Sequence, residues 1–293
     1  NSWKEQSMTI QRHNYNLEMT FTVDGDMIIY PTHDQYVAGA LRDFGEYSPS
    51  EVKLLQSICK PDWTCIDVGA NIGTVALALA KVSKHVIAIE PQLLLSKLIL
   101  ANAALQGLGN IDVVYAAVGS TNGKVHIPAF SYTTFNNYGA IDSSCWTSGL
   151  EVDRITLDGL AELSGLNKYP VGVNLIKIDV EGMEKQVLEG AKVLIQESKP
   201  VLWVENDKIP QRDELIRYIK SIGYTPYWVV TTITESEPMG SHPLDSNASF
   251  NMLCVTPGPN YINCQGLREC NEGDENQSCP YVDMFRYDNA QFS

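Results

Sequence analysis

Residues 63–91, WTCIDVGANIGTVALALAKVSKHVIAIEP, constrain the fold more than any other stretch of this chain. Cys65, Ile66 and Val68 form a short apolar run ending at a glycine turn, and Ile72, Val75, Ala76, Leu79 and Ala80 then recur at helical spacing. A second apolar run, residues 86–89, stops at Glu90, seventeen residues beyond Gly73. Strand, glycine turn, helix and strand in this order predict a βαβ unit of a parallel sheet. Such sheets gather ligands at the carboxyl ends of their strands, so Glu90 is expected to accept the hydroxyls of a ribose, as in a site for an adenosine-containing cofactor.

The chemistry of the turn selects among such cofactors. A nicotinamide dinucleotide needs G-x-G-x-x-G so that its pyrophosphate can approach a helix N-terminus. Here the pattern is Asp67-x-Gly69-Ala70-Asn71-x-Gly73, and an aspartate at the mouth repels a pyrophosphate. S-adenosylmethionine, with an ammonium, a sulfonium and no phosphate, suits an acidic mouth. Gly69 and Gly73 permit unusual dihedrals and offer bare backbone. A third strand at residues 111–115 leads to Ala116 and Ala117, small enough to leave room for a flat adenine. The expected cofactor contacts are therefore Asp67, Gly69, Ala70, Asn71, Gly73, Glu90, Ala116 and Ala117. An NAD-dependent oxidoreductase and a catalytically silent cofactor-binding module stand as alternatives.

At 293 residues the chain can bury one large α/β core with additions. Its 21 basic residues against 35 acids give a net charge of −14 with no basic cluster, which opposes nucleic acid and anionic membranes as partners. No apolar run approaches the ~20 residues that span a bilayer. Cys59, Cys65, Cys145 and Cys254, of seven cysteines, lie in or beside apolar runs, as expected of buried thiols in a reducing cytoplasm.

Three regions follow. Residues 1–44 contain a β-hairpin around Asp24-Gly25 that is expected to cap a domain edge; residues 45–257 form the cofactor domain; residues 258–293 form a cysteine-containing acidic tail. Ser48 or Ser50 is the expected N-cap of a helix leading into the cofactor strand, with Tyr47 at its entrance. Asn122-Gly123 predicts a second hairpin, with residues 124–127 as its second strand. Residues 130–146, polar and aromatic without periodicity, read as a loop over the site.

The other informative segment is VNLIKIDVEGMEKQVLEGA, residues 173–191. Leu175, Ile176 and Ile178 form a buried strand, and Asp179, Glu181 and Glu184 mark its junction with a helix. The helix dipole accounts for Glu184. Asp179, closing a central strand, needs a partner such as Lys177, a substrate hydroxyl or a metal.

DVGANIG, AIEP, TLDGL, IKIDVEGMEKQVLEGA and PVLWVEND together resemble the FkbM family of S-adenosylmethionine-dependent methyltransferases, over about residues 45–256. The resemblance implies a class I methyltransferase fold: a Rossmann-like, seven-stranded, mostly parallel sheet with helices on both faces and an antiparallel last strand. Residues 201–205, 227–231 and 250–255 would be its fifth, sixth and last strands. It also implies O-methyl transfer to a hydroxyl of a sugar, glycan or small hydroxylated metabolite.

That chemistry is an in-line displacement driven by proximity and by a base for the hydroxyl proton. Asp179 is the first candidate base and Glu205 the second, with Lys177 orienting Asp179 or the acceptor. Asp179, Glu205 and Asn206 could together offer oxygens to Mg²⁺, an option not favoured because Glu205 stands where catechol-type enzymes prefer aspartate. Tyr132, Phe135, Asn136, Asn137, Tyr138 and Trp146 are the expected acceptor surface, with Asn206 and Asn251 as further candidates. His85, His126 and His242 rank below Asp179 as bases. Cys264, Cys270 and Cys279 match no zinc spacing, so the tail reads as a solvated extension or a partner contact. The patterns at Asn247 and Asn276 read as chance matches to glycosylation sites. The residues leave the oligomeric state open.

Overall fold

A computed structural model describes residues 15–139, 148–160, 172–234 and 248–275. Cys145, Trp146, His242, Asn247, Asn276 and Cys279 lie outside the described residues. The chain opens with the hairpin β1 (Leu17–Phe21) and β2 (Met27–Pro31), whose turn holds Gly25 at φ 84°. Helices α1 (Val37–Phe44) and α2 (Pro49–Ile58) precede the expected unit of β3 (Thr64–Val68), α3 (Thr74–Ala80) and β4 (His85–Ile89). Helix α4 (Leu93–Leu105), β5 (Ile111–Val114), the short strands β6 (Ala117–Val118), β7 (Gly123–Ile127) and β8 (Leu150–Ile155), and α5 (Leu157–Leu160) follow. The second half runs β9 (Val173–Ile178), α6 (Glu184–Glu189), α7 (Lys192–Ser198), β10 (Val201–Glu205), α8 (Ile209–Ser221), β11 (Thr225–Thr232) and β12 (Ala248–Val255).

Seven strands form the main sheet in the order β11-β12-β10-β9-β3-β4-β5, and β12 runs antiparallel to both its neighbours. This is the class I methyltransferase arrangement. Alternation along each strand divides the core. Ile66, Ile87, Ile176 and Leu202 face α6, α7 and α8 in one cluster, while Cys65, Val86, Leu175 and Trp203 face α2, α3 and α4 in the other. The hairpin packs on α4, where the buried Asn102 side chain accepts from the N–H of Ile29 and donates to its carbonyl.

Two expectations fail here. Residues 123–127 do not fold back on the preceding strand; β7 pairs antiparallel with β8, which also pairs with β6, in a separate three-stranded sheet. Asn122 is drawn away from turn duty because its Oδ1 accepts the N–H of Thr156 at 2.8 Å. The tail is not a solvated extension as far as residue 275. Cys264 and Cys270 are buried, and the segment lies along β11 through Trp228 N–H to Arg268 O and Cys270 N–H to Pro226 O. Both thiols act as small hydrophobes that fill the core beside β11. No helix among the described residues is long and apolar enough to cross a membrane.

Candidate active site

Strand register brings the ionisable groups together. Asp67 on β3 pairs laterally with Lys177 on β9 and Ala88 on β4, and Lys177 pairs with Trp203 on β10. Neighbours in a parallel sheet share a face, so Glu90, Asp179 and Glu205, each two residues further on, continue the same row at the carboxyl ends. This row opens on a cavity of about 290 Å³.

Lys177 is buried at the centre, its Nζ 3.1 Å from Asp179 Oδ2 and 3.5 Å from Asp67 Oδ1. Burial alone would lower its proton affinity, but Asp179, Asp67 and Glu51 more than offset that and hold it well above the usual lysine value. Glu51 enters from α2, and its Oε2 accepts from Ser48 Oγ at 2.8 Å. Burial pushes both Glu51 and Asp67 above the ordinary carboxylate value. One ammonium thus faces three carboxylates, a surplus of negative charge inside the protein.

Asp67 carries the clearest sign of a ligand. It lines the cavity, is fully buried, and among the described residues neither carboxylate oxygen has a hydrogen-bond partner, since Lys177 is close enough for ion pairing but not for a well-formed bond. A cationic N–H donor would satisfy it. Glu90 is already oriented, accepting from Asn71 N–H at 2.9 Å and Gln92 N–H at 2.8 Å. Burial nevertheless pushes its carboxyl up to about 8. Each carboxylate oxygen keeps a lone pair for a ribose hydroxyl.

Of the residues expected to meet the cofactor, Asp67, Gly69, Ala70, Asn71, Glu90, Ala116 and Ala117 line this cavity, and Gly73 does not. The two glycines take the unusual dihedrals expected of them, and the fold also needs their missing side chains. A Cβ on Gly69, at φ 83°, would stand 1.8 Å from the carbonyl oxygen of Asp179, and one on Gly73, at φ 93°, would press on Ile99 at 3.1 Å. They allow chain segments to pack closely, and Gly69 also lines the cavity.

Asp179, Lys177 and Glu205 line the same cavity. Asp179 is engaged by Lys177, whereas Glu205 has no hydrogen-bond or ion-pair partner among the described residues. Burial, with Asp179, Asp207, Glu181 and Glu184 nearby, raises Glu205 well above the usual value. Glu181, paired with Lys208 Nζ at 2.5 Å, is pushed to about 7, and Asp207 to about 6, in both cases chiefly by burial. One oxygen each from Asp179, Glu181 and Glu205 falls within 4.8 Å of the others. Asn206 is not part of this group: its Nδ2 donates to Met252 Sδ within the core.

In the described part of the loop expected to hold the acceptor, residues 130–139, most aromatic rings pack on one another or on neighbouring segments, while Phe135 is exposed beside His33. Tyr132 and Tyr138 are buried, their ring centroids 4.7 Å apart, and Tyr132 donates to Gln92 Oε1. Asn136 ties to the chain at His33 and Gln35, and of the described members of that set Asn137 lines the cavity. Asn251 is buried and donates to Thr231 and Ser249. His85 pairs with Asp112 where β4 begins, at the end of the sheet away from the cavity, and His126 lies on β7.

Tyr47, Ser48, Glu51 and Asp207 line the cavity without having been anticipated. Ser48-x-x-Glu51 reads as a helix-capping pattern, yet Ser48 makes no side-chain cap and holds Glu51 instead, with its own φ at +48°. Only the fold aims these side chains inward.

The model of the methyltransferase FkbM domain matches residues 67–226, more than half of the chain. No curated protein matches it in sequence. Among solved structures, a methyltransferase FkbM from Methylobacillus flagellatus KT shares 15% identity at a TM-score of 0.41, covering 66% of this chain and 44% of that one. The chain thus spans less than half the length of that relative. A precorrin-6Y C5,15-methyltransferase from Geobacter metallireducens GS-15 shares 13% identity at 0.45, covering 71% and 87% of the two chains. An rRNA methylase from Streptococcus thermophilus shares 12% identity at 0.43, covering 71% and 94%. At these levels the likenesses assign no substrate. Taken with the sheet order and the length of the matched segment, the family model shows that this chain belongs to the FkbM methyltransferases.

Proposed function

We propose that the protein transfers a methyl group to a hydroxyl of a sugar, glycan or small hydroxylated metabolite, with Glu205 as the general base. The observation carrying this reading is a carboxylate with raised proton affinity and no partner among the described residues, in the cavity that also holds Asp67 and Glu90. Asp67 would hold the ammonium of S-adenosylmethionine, Glu90 its ribose hydroxyls, and Ala116 and Ala117 the adenine edge. When bound, that cofactor supplies an electrophilic methyl group.

Glu205 takes the hydroxyl proton as the acceptor oxygen attacks. Asp179, held by Lys177, orients the acceptor; the geometry favours this role over that of first base. The proposed step involves no divalent ion: in the cluster of three carboxylates Lys177 pairs with Asp179 and Lys208 with Glu181. The acidic rim and the net charge of −14 favour an acceptor without phosphates, and oppose nucleic acid. A cytoplasmic location fits a substrate drawn from cell metabolites.

The test supplies methyl-labelled S-adenosylmethionine with fractionated glycans and hydroxylated metabolites, and locates the label by mass spectrometry. Label on oxygen, undiminished by a chelator, supports the reading. Label on nitrogen or carbon alone overturns the acceptor assignment, and loss of turnover with the chelator overturns the metal-free step.

A further inference from the structure

Away from the cavity, the junction of α2 and β3 brings two sulfurs together. Cys59 is the C-cap of α2 and Cys65 is the second residue of β3, and their Sγ atoms are 3.5 Å apart. Residues 60–64 form the short return between them. The two thiols differ in access: Cys65 is fully buried, whereas Cys59 is half-buried and meets solvent. A pair of cysteines serving only as core filler would be enclosed on both sides.

We propose that Cys59 and Cys65 form a redox-active dithiol that closes to an intramolecular disulfide on meeting a small disulfide of the glutathione class. Cys59, as the thiolate, attacks one sulfur of the small disulfide, forming a mixed disulfide and expelling one small thiolate, which takes up the proton Cys59 gave up. Cys65 then attacks the Cys59 sulfur. The second small thiol leaves with the Cys65 proton. Two protein thiols are oxidised, and one small disulfide is reduced to two thiols.

A disulfide sulfur pair lies about 2.0 Å apart, so the contact must shorten by ~1.5 Å. Rotation of Cys59 can supply much of this, because its sulfur is bound only weakly to the Lys60 carbonyl at 3.9 Å. The hydrogen bond from Cys65 holds the Cys59 thiol below its ordinary value, which favours Cys59 as the attacking group. The hydrogen bond to Cys59, burial and the charge on Cys59 in turn hold Cys65 up; capping Cys59 removes the first and the last and leaves burial.

The link would tie the far end of α2, whose near end carries Ser48 and Glu51, to the strand that carries Asp67. Both tied ends lie away from the cavity, so the expected effect is on stability and not on cofactor affinity.

The experiment incubates reduced, folded protein with oxidised glutathione, alkylates the remaining thiols and digests it without reductant. The expected product joins Cys59 to Cys65 at a mass two hydrogens lower, with two fewer alkylated thiols, a thermal midpoint higher by a few degrees and reversal by dithiothreitol. Cys59→Ser should give no link and leave Cys65 unmodified, and a folded Cys65→Ser variant should stop at glutathionylated Cys59. Wild-type protein that stays glutathionylated at Cys59, or that keeps both thiols free for alkylation while folded, overturns the proposal.

Discussion

Asp67 and Glu205, the first fully buried and the second partly so, illustrate two different uses of a carboxylate. Asp67 accepts no hydrogen bond among the described residues, and its row-mate Lys177 only partly offsets its charge, an arrangement that would gain from a cation. Asp67→Asn should weaken S-adenosylmethionine binding at least tenfold by calorimetry, since charge-assisted hydrogen bonds contribute ~1.5–3 kcal/mol. Glu205→Gln keeps the shape but loses the proton acceptor. It should lower kcat by ~10²–10³ while changing cofactor affinity no more than about twofold. An unchanged kcat would return the base to Asp179. Because burial raises Glu205, kcat/KM of the wild type should climb with pH over a range above that of an ordinary carboxylate.

Elements show how far the sequence could be read. The βαβ unit at 63–91 and the acids at strand ends followed from apolar runs and their spacing, whereas the face shared by Asp67, Lys177 and Glu205 emerged only from the strand register. The partner of β7 did not, because a strand of five residues carries no label for what lies across from it and Asn122 looked like a turn residue. Glu51 was likewise hidden, since i,i+3 spacing from Ser48 describes a cap equally well. The glycine turn yields a stability test. Gly69 and Gly107 both have positive φ, but a Cβ on Gly69 would meet Asp179 O at 1.8 Å and one on Gly107 would meet nothing within 4 Å. Gly107→Ala should cost about 1 kcal/mol from the backbone alone, and Gly69→Ala several kcal/mol more, a gap measurable as denaturant midpoints. Equal losses would show that close packing at the turn is not what requires glycine.

At the scale of the whole molecule, burial raises the proton affinity of acids at the carboxyl ends of the sheet and of Asp34, between the hairpin and α1. Glu90 is pushed to about 8, Glu181 to about 7, and Asp207 and Asp34 to about 6. In the unfolded chain all four titrate near ~4. Between those values the folded state binds more protons than the unfolded state, so stability must fall as pH rises. The thermal midpoint without ligand should therefore drop by several degrees from pH 5.5 to 8.5, with the loss continuing until Glu90 has titrated. A cationic ligand favours the ionised forms, so saturating S-adenosylmethionine should recover part of that loss. The same linkage makes calorimetric titration with S-adenosylmethionine at pH 6 and pH 8.5, in buffers of different ionisation enthalpy, the most direct measurement. Binding should be tighter at the higher pH, with net proton release and no comparable heat from NAD. Absence of binding by folded protein, or preference for NAD, would contradict an acidic pocket built for a cationic methyl donor.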